Sequence, residues 1–183
     1  MIEIYPPLED SFFFADFLNR YLSKKKNKNI KYLDMGCGSG ILSEEALKFL
    51  KKENILSVDI NQEAVNLTTK KGFNAIKSDL FNKVYGKFNL ITFNAPYLPM
   101  DSREPLDSQK STTGGKKGDE ITIKFLNQAF EHLSEKGDIL LLISSLTPLN
   151  KIKKFDGKIV AKKKLFFEEL NIYRFNKKQD KTT

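Results

Sequence analysis

A chain of 183 residues, 40% hydrophobic and 30% charged, is long enough to form one globular domain over residues 1–183 without disulfides or metals. The single cysteine excludes a disulfide framework, and no apolar run approaches the roughly 18 residues of a spanning helix, so we expect a cytoplasmic protein with no membrane segment. The formal net charge of +8 rests almost entirely on lysine, which is only a weak indication of an anionic partner.

The N-terminal region, residues 1–28, is predicted to supply a helix and a lid. Apolar residues recur at helical spacing over residues 10–23. Asp10 and Ser11 fit the cap of this helix, and together with Glu9 they also fit a lid over a ligand pocket. These two interpretations are compatible.

Strands and helices then alternate along the chain. Short apolar segments predict strands from Ile30 and over 55–60, 73–80, 87–94 and 138–144, and amphipathic segments predict helices over 41–52, 61–71 and 119–133. This alternation is typical of an α/β fold in which helices cover both faces of a mostly parallel sheet. Two successive strands, 158–167 and 170–176, predict a C-terminal antiparallel hairpin in a sheet of seven strands. Residues 177–183 are polar, and we expect a frayed tail.

Polar side chains end four of these strands. They are Asp34, Asp59, Asp79 and Asn94, one at the tip of each of the first four strands. An open parallel sheet binds ligands at the carboxyl ends of its strands, where the strand order reverses. A lone acid after a strand is usually a turn former, but three acids in successive strands are hard to dismiss.

The first strand leads into the glycine-rich turn DMGCGSG. Asp34, Gly36, Gly38 and Gly40 are predicted to contact a ligand, since glycines let the backbone approach it closely and a helix follows. Cys37 lies in the same turn and is interpreted as a small packing residue whose backbone takes part in the site.

The next two strand tips fit an adenosine. The Asp59 carboxylate can accept both hydroxyls of a ribose, and Ile60 follows it in the same pocket. Asp79 can accept from the exocyclic amine of adenine while Leu80 packs on the ring.

The fourth strand ends in Asn94-Ala95-Pro96-Tyr97. The Asn94 side-chain oxygen and the Ala95 carbonyl can accept the two hydrogens of a planar –NH2 group, and Tyr97 can stack on it. Catalysis would then be largely proximity and electrostatics, with the nitrogen lone pair aimed at a methyl sulfonium.

In this order, these residues resemble the class I S-adenosylmethionine-dependent methyltransferases with an (N/D)PPY motif. The opening Tyr5-Pro6-Pro7-Leu8-Glu9-Asp10-Ser11 is similar to the Y-x-P-x-E-D-S/T segment of the short HemK/PrmC-type enzymes of archaea and eukaryotes. Residues 113–118, TGGKKG, are similar to the GG-x-x-G segment that follows NPPY in the same group. This chain has NAPY, in which Ala95 keeps the carbonyl but loses the ring that stiffens the loop.

The resemblance implies a Rossmann-like class I methyltransferase domain that uses S-adenosylmethionine and methylates the side-chain amide of the glutamine in the GGQ motif of a peptide-chain release factor. In the bacterial members a helical domain precedes the catalytic one, whereas the short form implied here resembles members that pair with a small zinc-binding activator protein. That partner is expected to form a heterodimer at the sheet edge near the third strand.

Two other functions remain open. An adenine-specific nucleic-acid methyltransferase would present the same –NH2 geometry to Asn94, with the flipped base on Tyr97, but few arginines and no recognition module are apparent. The second alternative is a non-catalytic methyltransferase-fold subunit.

His132 is expected to cap a helix end, and the sequence has no cysteine–histidine cluster that predicts a metal site.

Overall fold

The computed structural model describes residues 7–96 and 114–177, and within them one seven-stranded sheet has the order β3-β2-β1-β4-β5-β7-β6. The first five strands are parallel, whereas β7 runs antiparallel to both β5 and β6. The predicted α/β fold with a C-terminal antiparallel hairpin is therefore confirmed. The strands are β1 Tyr32–Met35, β2 Ile55–Asp59, β3 Asn74–Lys77, β4 Phe88–Asn94, β5 Leu133–Ser144, β6 Lys158–Lys164 and β7 Glu169–Phe175.

Four α-helices lie within the described residues, and they cover both faces of the sheet. They are α1 Glu9–Ser23, α2 Ile41–Leu47, α3 Gln62–Lys70 and α4 Glu120–Ala129. Short 3-10 turns cover Lys52–Asn54, Phe130–His132 and Lys153–Phe155. One core joins α1 and α2 to the sheet through residues such as Leu18 and Leu140, and a second core joins α4 through Phe125 and Leu141. None of these helices is both long and apolar enough to cross a membrane.

The strand order reverses between β1 and β4, and this reversal places the site. The chain passes from β1 outward through β2 to β3 and then returns to β4 on the other side of β1. Met35 of β1 is paired with Phe93 of β4, so the turn at Gly36 and the side chain of Asn94 follow these partners at the same edge. A crevice at the carboxyl ends of neighbouring strands is where such sheets bind ligands.

The start of α1 differs from the prediction. The N-cap is Leu8, which has extended backbone and makes no side-chain cap hydrogen bond, and Asp10 and Ser11 lie inside the first helical turn. The predicted Asp10-Ser11 cap is therefore wrong. The Asp10 carboxylate accepts from the Ser11 amide and the Asn94 side chain, and these contacts take the place of a cap.

Other boundaries were also predicted wrongly. The strand predicted over 73–80 covers only Asn74–Lys77, and the helix predicted over 119–133 ends at Ala129. Helix α2 ends at Leu47, and a turn and a 3-10 segment replace its predicted last residues. Strand β5 begins at Leu133, within a segment predicted to be helical, because Leu133 is paired with Phe88 of β4. Gly137 lies inside this strand beside a register shift, where a Cβ atom would meet Leu133 and the Phe88 carbonyl oxygen at 3.0 Å. In sequence, a glycine at a strand irregularity looks the same as a glycine that ends a helix, so Gly137 was assigned to a helix end.

The C-terminal hairpin agrees closely with the prediction, although β6 ends three residues earlier than expected, at Lys164. Lys177 is paired with Glu135 at 2.7 Å, and the rest of the predicted tail, residues 178–183, lies outside the described residues.

Candidate active site

The glycine-rich turn after β1 depends on backbone conformations that favour glycine. Gly36, Gly38 and Gly40 have φ angles of 65°, 50° and 83°. At Gly36 a Cβ atom would also lie 2.9 Å from the ring of Phe93 on β4. The turn is tied to β2 by a hydrogen bond from the Cys37 amide to the Val58 carbonyl at 3.0 Å. The sequence therefore forms a fixed backbone loop directly beside the end of β4.

Asp34 is fully buried beneath this turn and does not line its surface. Ser43 Oγ donates to Asp34 Oδ2 at 2.7 Å, and Thr92 Oγ1 lies 3.4 Å from Asp34 Oδ1. Burial raises the pKa of Asp34 to about 7, although these hydrogen bonds lower it in part. Its predicted direct contact with the cofactor stays a prediction, and its visible contacts connect α2 to β1 and β4.

The carboxylate of Asp59 organises the backbone on both sides of it. Gly38 N donates to Asp59 Oδ2, and Asn61 N donates to Asp59 Oδ1, both at 2.8 Å. Burial raises the pKa of Asp59, and the backbone hydrogen bonds oppose that shift. Each carboxylate oxygen has a further lone pair, so Asp59 can still accept a hydrogen bond from a ribose hydroxyl. The side chain of Ile60 is 58% exposed and is therefore available to a planar ligand.

Asp79 and Leu80 lie two and three residues beyond the end of β3, in a turn, and not at the tip of the strand as predicted. Asp79 Oδ2 is paired with Lys124 Nζ of α4 at 2.7 Å, a contact that the sequence did not predict. Leu80 is buried and has left-handed backbone with φ 47°. A non-glycine residue in this conformation is strained, and strained residues are common at binding sites. Their predicted contacts with adenine stay predictions.

Asn94 has the most informative hydrogen bonds at this edge. Its Nδ2 donates to Asp10 Oδ2 at 3.1 Å and lies 3.4 Å from Ser11 Oγ, both in α1. Its Oδ1 is buried and has no hydrogen-bond partner among the described residues. A buried amide oxygen without a partner is costly, and such an atom at a strand tip is suited to accept a hydrogen from a ligand.

The backbone after Asn94 contacts the glycines of the predicted GG-x-x-G segment. Ala95 is buried, and the carbonyl oxygen of Pro96 lies 2.6 Å from the position that a Cβ atom would take at Gly114. That same atom would lie 2.4 Å from the carbonyl oxygen of Gly118. The two motifs, separate in sequence, therefore meet at the end of β4. Tyr97, Tyr5 and Thr113 lie outside the described residues.

Cys37 and His132 have packing roles. Burial raises the pKa of the Cys37 thiol, whose Sγ lies 3.6 Å from Thr68 Oγ1, so this thiol is not a nucleophile. The His132 ring stacks on Phe81 at 4.6 Å, and its Nδ1 contacts the carbonyl oxygen of Gly86. No group of three or more potential metal ligands occurs in residues 7–96 and 114–177.

Sequence reasoning missed the residues that support the site from other elements. The hydroxyls of Thr92 and Tyr32 share a hydrogen bond of 2.6 Å, and those of Ser57 and Ser43 share one of 2.8 Å. Since Thr92 and Ser43 also contact Asp34, these hydroxyls form a network around its carboxylate. Polar residues inside the apolar segments ILSVDI and NLITFN were a signal that could have identified them. Asp10 was considered a cap or lid residue, but its contact with Asn94 spans 84 residues of sequence.

A mostly parallel sheet with this strand order, a glycine turn after β1 and an Asn-x-Pro segment at the end of β4 are typical of a class I methyltransferase fold. Family comparison agrees, because the methyltransferase small domain model matches residues 14–167. The chain belongs to this family and is a methyltransferase.

Its relatives in sequence include glutamine methyltransferases. A Methanocaldococcus jannaschii protein with the provisional name protein N5-glutamine methyltransferase is 38% identical over 93% of this chain and 90% of that protein. The release factor glutamine methyltransferase of Borreliella burgdorferi is 32% identical over 81% of this chain and 54% of its own length. The chain thus spans about half the length of that bacterial enzyme.

Solved structures are similar in fold. A Thermus thermophilus 16S rRNA N2 G1207 methyltransferase, in complex with AdoMet and guanosine, has a TM-score of 0.65 and 17% identity over 94% of this chain and 44% of that one. A ribosomal protein L11 methylase from Lactobacillus delbrueckii has a TM-score of 0.61 and 22% identity over 90% of this chain and 79% of that one.

Proposed function

We propose that this protein transfers the methyl group of S-adenosylmethionine to the side-chain amide nitrogen of a glutamine, the one in the GGQ motif of a peptide-chain release factor. The observation that carries the proposal is the free oxygen of Asn94, a buried acceptor without a partner among the described residues. A glutamine amide supplies the planar –NH2 group that such an acceptor can orient. The names of the sequence relatives support the same reaction.

The residues fit S-adenosylmethionine as cofactor. The rigid glycine turn leaves room for close approach of the methionine end, and Asp59 offers remaining lone pairs to the ribose. Ile60 is exposed beside Asp59 and can pack on the adenine. The Thermus thermophilus neighbour, which has the same fold, was solved with AdoMet. The bound cofactor would supply the electrophilic methyl group.

The protein's own contribution is orientation of the acceptor. Asn94 Oδ1 accepts one hydrogen of the substrate amide, and the Ala95 carbonyl accepts the other, so that the nitrogen lone pair points at the methyl group. Two acceptors on the N–H groups also raise the electron density on the nitrogen. Transfer would then be direct and in line: the C–N bond would form as the C–S bond of the sulfonium breaks, with the neutral thioether as leaving group and the proton of the methylated nitrogen released to solvent water. No covalent intermediate with the protein is needed.

A small zinc-binding activator protein is proposed as partner at the edge of β3. Within residues 7–96 and 114–177 this strand is an edge strand paired with β2, so its outer side suits the addition of a further strand. The opposite edge strand, β6, carries Lys158, Lys162, Lys163 and Lys164, a pattern that discourages strand addition. Tyr85, 85% exposed at the groove near β3, adds apolar surface for a partner to cover.

The function is tested by methyl transfer from labelled S-adenosylmethionine to a panel of acceptors. The panel contains a release factor with an intact GGQ motif, the same factor with that glutamine replaced, bulk RNA and bulk DNA, each with and without a zinc-binding activator. We expect label on the intact factor alone. Label on nucleic acid, with none on the factor even when the activator is present, would refute the proposal in favour of an adenine methyltransferase.

A further inference from the structure

We infer that Asp10 is a positioning residue for the acceptor site, because its carboxylate determines which end of the Asn94 amide faces the substrate. The inference rests on the proposed function, since it concerns the atom that receives the substrate –NH2 group. Asp10 lies in the first turn of α1 and is buried, with 6% of its surface exposed. The contact from Asp10 Oδ2 to Asn94 Nδ2 is 3.1 Å.

The orientation of an asparagine amide is decided by its neighbours, because its oxygen and nitrogen are nearly equal in size. An ionised carboxylate only accepts hydrogen bonds, so Asp10 selects the nitrogen of Asn94. Ser11 Oγ, 3.4 Å from the same nitrogen, lies on the same side. Both amide hydrogens therefore point into α1, and Oδ1 is left on the opposite side.

Asp10 is itself held in place by its neighbour. Its Oδ1 accepts from the Ser11 amide at 2.7 Å, which leaves Oδ2 for Asn94. Helix α1 is anchored in the core by Phe14 and Leu18, both fully buried. The carboxylate is therefore a fixed part of the fold, held between the first turn of α1 and the end of β4.

A reversed Asn94 amide would oppose the reaction. It would direct two N–H groups toward the –NH2 group of the substrate, so donor would face donor. The substrate nitrogen would lose one of its two acceptors, and its lone pair would no longer be aimed. Removing one such oriented interaction typically lowers kcat by roughly 100-fold or more.

The substitution Asp10→Asn reverses Asn94 with little change in shape. The oxygen of the new amide stays with the Ser11 N–H, which can only donate. Its –NH2 group then faces Asn94 and draws Oδ1 inward. We expect kcat to fall by roughly 100-fold while the affinity for S-adenosylmethionine stays unchanged.

The exchange Asp10→Asn with Asn94→Asp restores the acceptor. The –NH2 group of the residue at position 10 donates to one oxygen of the new carboxylate, and the other oxygen is free to accept. We expect this double variant to be at least about tenfold more active than Asp10→Asn alone. A merely structural role of Asp10 predicts that the second change makes activity worse. Asp16→Asn is the matched control, since Asp16 lies on the same helix but its side chain is 62% exposed and forms an ion pair with Arg20 at the helix surface.

A readout without substrate separates this inference from the proposed function. The side-chain amide hydrogens of Asn94, assigned by NMR from their loss in Asn94→Asp, should exchange slowly in the wild type and in Asp16→Asn, and faster in Asp10→Asn. Equal exchange in all three proteins, or wild-type turnover in Asp10→Asn, would overturn the positioning role. Failure of the wild type to methylate a release factor would refute the proposed function, and the exchange rates would still decide the role of Asp10.

Discussion

Removal of the Ser43 hydroxyl should destabilise the protein in a manner that depends on pH. Ser43 Oγ donates to the fully buried Asp34 at 2.7 Å, and it also contacts Ser57 Oγ at 2.8 Å. In Ser43→Ala the buried carboxylate loses its shortest hydrogen bond and the Ser57 hydroxyl loses a partner. A hydrogen bond to a charged group contributes about 1.5–3 kcal/mol, so we expect a loss of about 2–3 kcal/mol where Asp34 is ionised.

The sign of the pH dependence follows from the raised pKa of Asp34. Its pKa is about 7 in the folded protein, against an ordinary value of 3.8. The folded state therefore binds the proton more tightly, and this contribution to stability is complete below the unfolded pKa and is lost as pH rises through the folded pKa. The shift of about 3 units corresponds to about 4 kcal/mol. Ser43→Ala raises this pKa further, so its additional effect appears mainly above pH 7.

Urea denaturation at about pH 5.5 and about pH 8.5 measures the effect through the free energy of unfolding. We expect the difference between wild type and Ser43→Ala to be larger at the higher pH. Ser57→Ala is the matched control, because it removes a buried hydroxyl from the same hydrogen-bond network but keeps the hydrogen bond from Ser43 to Asp34. A difference between wild type and Ser43→Ala that is equal at both pH values would show that ionised Asp34 does not depend on the Ser43 hydroxyl.

Three further changes test the neighbouring parts of the site. Asp59→Ala should lower the affinity for S-adenosylmethionine by about tenfold or more in calorimetry, because the Gly38 and Asn61 amides lose their acceptor; an unchanged affinity would contradict this role. Gly114→Ala should lower stability by about 1–3 kcal/mol in denaturation and reduce turnover, because its Cβ would lie 2.6 Å from the Pro96 carbonyl oxygen; wild-type stability would argue against this contact. The Cys37 thiol, buried and with a raised pKa, should react with a thiol reagent only after unfolding, and rapid labelling of the native protein would show otherwise.

The sequence was sufficient for the order of the elements and for the strand tips. Hydrophobic periodicity and turn residues are local signals, so they identified helix α3, which is capped by Asn61 through the Glu63 amide. The predicted parallel sheet then required the tips of β1 to β4 to share an edge. The boundary of β5 was missed because Leu133 is held in the strand by Phe88, a residue 45 positions away in a different element.

The details of the site depend on contacts that are distant in sequence. The hydroxyls that surround Asp34 come from α2, β2 and β4, and the spacing of the motif did not predict them. The pairing of Asp79 with Lys124 and of Asp10 with Asn94 likewise joins residues that local patterns cannot relate. These side chains meet only in the folded protein, so their contacts could not be predicted from the spacing of residues in the sequence.

The role of Asn94 in orienting the acceptor is tested by Asn94→Ala, with methyl transfer and cofactor binding measured on the same protein. The matched control is Asn89→Ala, since Asn89 lies on the same strand and contacts Lys31 and Ser134 at the other end of the sheet. We predict that Asn94→Ala abolishes transfer to the release factor but binds S-adenosylmethionine nearly as tightly as the wild type, whereas Asn89→Ala keeps its activity. Loss of cofactor binding together with transfer, or transfer at the wild-type rate, would contradict the assignment of Asn94 as the group that orients the acceptor.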